Sequence, residues 1–144
     1  MDVGTVRVGV AASDPAGIFA VPVETVARGA GDLARIVALA TERHAVEVVV
    51  GLPRSMSGAE GKAARSVREF AVGLARRLAP VPLRLVDERL STAAALREQR
   101  ASGVSQRRGR SSVDQAAAVI ILQSALDTER ATGTPPGETL QVGA

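Results

Sequence analysis

Carboxylates recur in this chain where secondary-structure elements should begin or end: Asp2 near the N-terminus, Asp87 and Glu88 after an apolar run, and Asp114 at the head of a long apolar stretch. Ligands of α/β sheets collect at the carboxyl ends of strands. Three or four acids converging there would repel one another unless a cation sat between them. Oxygen donors suit a hard divalent ion, Mg2+ or Mn2+. Each acid also has a plainer use: Asp114 as a helix-dipole partner, Asp87 or Glu88 as ion-pair partners of Arg84 or Arg89, and Asp2 as a turn residue. Both readings stand on the spacing alone.

Cations lie in the segments between. Arg54 follows Gly51-Leu52-Pro53, Lys62 follows Gly58-Ala59-Glu60-Gly61, and Arg107, Arg108 and Arg110 surround Gly109. A solvated face explains them as well as phosphate contact does, where Arg forks grip phosphate oxygens. The Arg cluster directly precedes Asp114, so it could bring a phosphodiester to a metal held there. Ser13, Ser91 and Thr92 are possible polar contacts, but no activating base stands beside them to make a nucleophile.

Composition narrows the classes. The 144 residues suffice for one domain with a single core. Without cysteine there is no disulfide, thiolate metal site or Cys nucleophile. The lone His44 follows a helical pattern and reads as a cation near a helix C-terminus. Two aromatics, Phe19 and Phe70, leave no platform for stacking a run of bases. Net charge is +3, carried by arginine except for Lys62, a mild bias toward polyanions. Neither a signal peptide nor an apolar run of about 20 residues appears, which leads us to expect a cytoplasmic protein with no membrane partner.

The elements that must position these residues follow from periodicity. Val6 to Ala12 alternates as a strand, and Ile18 to Val23 reads as its hairpin partner across the Ser13 to Gly17 turn. Asp32 is placed to N-cap a helix bearing Leu33, Ile36, Val37 and Ala40. Val46 to Val50 is apolar enough for a strand buried on both faces. A helix with Ala63, Val67, Phe70, Ala71, Leu74 and Leu78 on one side ends before Pro80 and Pro82. Leu83 to Val86 forms another strand, and a helix starts near Ser91 or Thr92. After a polar segment from 101 to 110, Ser111 or Ser112 caps a last helix whose residues 116 to 122 are apolar nearly all round, so it should be largely buried. Hairpin strands followed by alternating helices and strands predict an α/β domain with a mixed sheet.

Four stretches together resemble the YqgF/RuvX family, the pre-16S ribosomal RNA nucleases also called Holliday junction resolvase-like proteins. They are Asp2-Val3-Gly4-Thr5-Val6-Arg7-Val8-Gly9-Val10-Ala11 with Ser13-Asp14; Gly51-Leu52-Pro53 with Met56, Gly58 and Glu60-Gly61; Val86-Asp87-Glu88-Arg89-Leu90-Ser91-Thr92; and Val113-Asp114-Gln115-Ala116-Ala117-Ala118 with Ile121-Leu122-Gln123. The resemblance implies an RNase H-like fold, a five-stranded mixed sheet flanked by helices, over residues 1–127, with residues 128–144 a disordered tail. It also implies that Asp2, Glu88 and Asp114 are catalytic acids binding Mg2+ or Mn2+, with Asp87 a neighbour. Arg54, Lys62, Arg107, Arg108 and Arg110 would contact the substrate.

The implied activity is endonucleolytic hydrolysis of precursor 16S ribosomal RNA by a monomer or weak homodimer. The front end departs from the family pattern, because only Met1 precedes the acid at position 2. In an RNase H-like sheet that strand is central, so a truncated first strand predicts a weakened fold and weak metal binding. Rival readings are a non-catalytic nucleic-acid-binding accessory factor and a DNA junction resolvase. The Asp2-x-Gly4-Thr5 pattern also resembles the phosphate loop of actin-like ATPases, but those need two such domains.

Overall fold

A computed structural model describes residues 1–55, 57–91 and 107–141, with Leu90 and residues 107–112 described by their backbone alone. The chain runs β1 (Asp2–Val3), β2 (Arg7–Ser13), β3 (Ala20–Ala27), α1 (Asp32–Glu42), β4 (Val48–Leu52), α2 (Lys62–Leu78), β5 (Leu83–Asp87), a 3-10 turn (Glu88–Leu90), α3 (Arg107–Thr132) and β6 (Glu138–Thr139). The helix expected from Ser91 or Thr92 lies outside the described residues.

The strands form two three-stranded ladders, β1-β2-β3 and β4-β5-β6, rather than the single five-stranded sheet expected. The first is antiparallel throughout, with Asp2 opposite Gly9 and Val3 opposite Val8. In the second, β4 and β5 are parallel and β6 is antiparallel to β5. The reason for the division is the length of β1. Met1 alone reaches β4, donating from its amino group to the Val49 carbonyl (2.6 Å) and accepting from the Gly51 amide (3.1 Å). One residue makes a seam where a longer strand would make a ladder.

Strand alternation sorts side chains onto two faces. Met1, Val3, Val8, Val10, Val48, Val50, Leu52, Leu83 and Leu85 join the larger core, which α1 closes with Ile36 and Leu39 and α2 with Ala64, Val67, Phe70, Ala71, Leu74, Ala75 and Leu78. On the opposite face Val86 packs with Ala117, Ile121 and Ala125 of α3. The result is an α/β domain with helices on both faces. Asp2 falls between Met1 and Val3, so alternation turns it toward the α3 face.

Several local expectations change. Asp32 is the first residue of α1 rather than its cap; Gly31 caps in the left-handed conformation, and the Asp32 carboxylate accepts from the Gly29 amide instead. Ala64, not Ala63, faces the core from α2. The last helix begins at Arg107, so Ser111 and Ser112 lie within it. Nor is its apolar stretch fully covered: Ala117, Ala118 and Ile121 are buried while Ala116, Val119, Ile120 and Leu122 are partly exposed, because α3 lies on one face of the sheet.

The tail is ordered farther than expected. α3 continues to Thr132, and Glu138–Thr139 adds to β5, with Leu140 donating to the Leu83 carbonyl and Arg68 pairing with Glu138. An open strand edge and an arginine in reach supply what composition alone did not indicate. Residues 142–144 lie outside the described residues.

Candidate active site

Asp2, Glu88 and Asp114 are the three buried polar or charged residues among those described, at 1, 3 and 1% exposure. Isolated carboxylates cost several kcal/mol to bury, roughly, so their shared burial calls for a common cause. They come from a strand, a turn and a helix, and two glycines let those segments meet. Gly9, opposite Asp2 in the ladder, lies so close to α3 that a Cβ there would collide with the Asp114 carbonyl and stand 3.1 Å from the Gln115 nitrogen. Gly51, bonded to Met1, lies under Glu88: a Cβ would stand 2.8 Å from Glu88 Oε1 and 2.6 Å from Ile121 Cδ1. A line of close contacts therefore runs from Glu88 through Gly51, Met1 and Asp2 to Gly9 and Asp114.

Each acid is held by its own element. The turn after Asp2 is tied down by Arg28, whose Nη1 donates to the Gly4 carbonyl at 2.7 Å while its guanidinium lies 4.7 Å from the centre of the Phe70 ring. Glu88 opens the 3-10 turn that Asp87 caps by accepting from the Arg89 amide (2.9 Å). The Arg89 guanidinium also grips both Asp87 oxygens and holds that carboxyl below its ordinary value. Asp87, left as a neighbour by the sequence, builds the turn that presents Glu88. Gln115 donates to Thr25 Oγ1 at 3.0 Å, fixing α3 beside Asp114.

Asp114 accepts from Arg7 Nε at 2.9 Å. Sequence reasoning passes over Arg7, since an arginine opening a strand reads as solvent-facing. Its parity with Gly9 was the available signal: residues two apart on β2 share a face, and both meet Asp114.

The predicted substrate contacts are dispersed. Arg54 is half-buried and paired with Glu60 (3.4 Å). Glu60 is itself gripped by Arg68, which holds it below the usual carboxylate range. Lys62 is exposed at the first position of α2. Arg107, Arg108 and Arg110 open α3, and their side chains lie outside the described residues. The seven-residue separation of Arg107 from Asp114 spans about 10 Å of helix.

A hard cation suits three carboxylates chemically. Among the described residues, however, no group of three or more His, Asp or Glu side chains is arranged to hold a metal ion. Asp114 already has one oxygen on a guanidinium.

The family model for RuvX, described as Holliday junction resolvase, matches residues 1–128. The chain belongs to the RuvX family. Relatives of this RuvX chain named "putative pre-16S rRNA nuclease" include one from Thermobifida fusca, 57% identical over 98% of this chain and 93% of its own. One from Nocardioides sp. is 60% identical over 98% and 94%, and one from Streptomyces coelicolor 56% identical over 99% and 86%. The matched region contains all three buried acids and both glycines, and membership supports the RNase H-like reading of its α/β architecture. No helix among the described residues is long and apolar enough to cross a membrane.

Proposed function

We propose that this RuvX chain is an endonuclease that hydrolyses phosphodiesters of precursor 16S ribosomal RNA, in the cytoplasm, with Asp2, Glu88 and Asp114 as its catalytic acids. The observation that carries the reading is their joint burial on three segments brought together over Gly9 and Gly51. The names of the relatives supply the substrate.

Carboxylates repel a phosphodiester, so the site works only with positive charge beside it. Arg7 supplies one such charge next to Asp114. A carboxylate in this setting can orient a water and accept its proton as the water attacks phosphorus. Burial excludes bulk solvent and strengthens that interaction. Asp2, Glu88 and Asp114 are the residues that would hold Mg2+ or Mn2+, whose chemistry is to acidify a water and neutralise developing charge. Arg54, Lys62, Arg107, Arg108 and Arg110 contribute phosphate contacts that position the strand.

The decisive experiment is cleavage of a labelled precursor RNA with and without Mn2+, beside an Asp114→Asn control and a synthetic four-way DNA junction at matched salt. Metal-dependent RNA cleavage lost in the control supports the reading. RNA binding without cleavage would replace it with an accessory binding factor. Preferred cutting of the junction would favour a resolvase, which the family description names and which needs two copies for paired cuts.

A further inference from the structure

Among the described residues four arginines donate a hydrogen bond to a carboxylate through Nε, and one differs from the other three. Arg35 reaches Glu24 through Nε and Nη2 at 2.9 and 2.7 Å, and Arg68 reaches Glu60 through the same pair at 2.5 and 2.7 Å. Arg89 likewise uses Nε and Nη2 on Asp87. These are the two-point forks that guanidinium and carboxylate form when each is the other's main partner. Arg7 touches Asp114 through Nε alone, and among the described residues its side chain makes no other hydrogen bond or ion pair.

The side chain is also placed between two environments. Arg7 is 30% exposed while Asp114 is 1% exposed, so the guanidinium reaches from solvent to the buried acid. Its Nη amines carry four N–H donors that the Asp114 contact does not use. They stand within a side chain's width of a candidate catalytic acid, in a protein of net positive charge.

We propose that Arg7 is a phosphate ligand of the nucleic-acid substrate, its guanidinium bridging the Asp114 carboxylate and a backbone phosphate. It neutralises the acid from one edge and seats the phosphodiester beside it from the other. This depends on the proposed function only in taking the ligand to be a nucleic acid; it needs no cleavage.

The test is equilibrium binding of a single-stranded precursor RNA fragment in EDTA over a salt series. Asp114→Asn is the reference, since it removes the buried carboxylate that any change at position 7 would strand. Arg7→Gln/Asp114→Asn should lower the slope of log K against log salt by about 0.7, the share of one lost phosphate contact on a single strand. Arg7→Lys/Asp114→Asn should restore it. Equal slopes for the reference and the Gln variant would show Arg7 to be a counter-ion of Asp114 only, and the proposal would fall. A readout that does not depend on folding of a double variant is the Arg7 Nε–H resonance, which should shift as RNA is added to the wild-type protein; an unmoved resonance at saturation overturns the proposal. Failure of the wild-type protein itself to bind RNA at low salt would overturn the nucleic-acid reading, and this one with it.

Discussion

Gly9 lies against the main chain of Asp114, too close for any side chain to stand between β2 and α3. The contact joins the strand opposite Asp2 to the helix that carries the third acid. Gly9→Ala should push α3 off the sheet, costing about 3 kcal/mol because backbone cannot yield as a side chain does. A thermal melt together with a cleavage assay checks it, and both stability and activity should fall.

Gly51→Ala should separate the two. The added methyl meets Ile121 Cδ1 and the Glu88 side chain, which can rotate away. Stability should drop by only about 1–2 kcal/mol, while displacement of Glu88 should lower the cleavage rate by a larger factor than Asn or Gln substitutions of surface acids do. Parallel melts and single-turnover rates distinguish this from general unfolding.

Isosteric amides at the three acids should separate activity from shape. Asp2→Asn, Glu88→Gln and Asp114→Asn each remove a buried charge while keeping shape, and Asp114→Asn, which takes the ion-pair partner from Arg7, should lower the melting temperature. Cleavage should fall by at least about 100-fold, the usual share of a positioned proton acceptor. A variant that keeps near-normal cleavage would remove that residue from the catalytic set.

Acid sensitivity should appear through the surface forks. Arg68 lowers Glu60, Arg35 lowers Glu24, and Arg89 lowers Asp87, relative to ordinary values of 4.5 for Glu and 3.8 for Asp. In each case the unfolded chain takes up its proton first as pH falls. The stability these pairs contribute is therefore complete above the unfolded values and is lost as pH drops through the lower folded ones. Glu60→Gln should be less stable than the parent at pH 7 and should converge with it as pH falls from 4.5 through the lowered folded value of Glu60. Urea midpoints across that range measure the difference.

The seam at Met1 should respond to added chain. Beyond Gly9, β2 pairs among the described residues with β3 on one side only, and beside it lies a cavity of about 150 Å3 lined by Val10, Ala11, Ile36, Leu39 and Val48 among others. Extending the N-terminus by four apolar β-formers should let a strand pair across this groove and raise the melting temperature by several degrees; four Gly-Ser residues should not. Equal melts for both extensions would refute the pairing.

Much of this was legible in order and pattern. Alternation in Val6 to Ala12 and the apolar run before Gly51 indicate strands, since a half-buried or fully buried strand needs those residues whatever its neighbours are. The four motif stretches point to the family without any coordinates, and Asp2, Glu88 and Asp114 lie in three of them. What pattern could not supply was contact across the chain. Arg7 and Asp114 are 107 residues apart, and nothing local in either says that they meet. The seam at Met1 and the pairing of Glu138–Thr139 with β5 depend on which strand edges remain open after packing. Gly9 and Gly51 read as ordinary strand residues until a helix and a carboxylate are laid on them. Local sequence determines which elements form because propensity and periodicity act over a few residues. Asp2, Glu88 and Asp114 come to lie beside Gly9 and Gly51 only because the tertiary fold leaves no side chain on the sheet at those two positions.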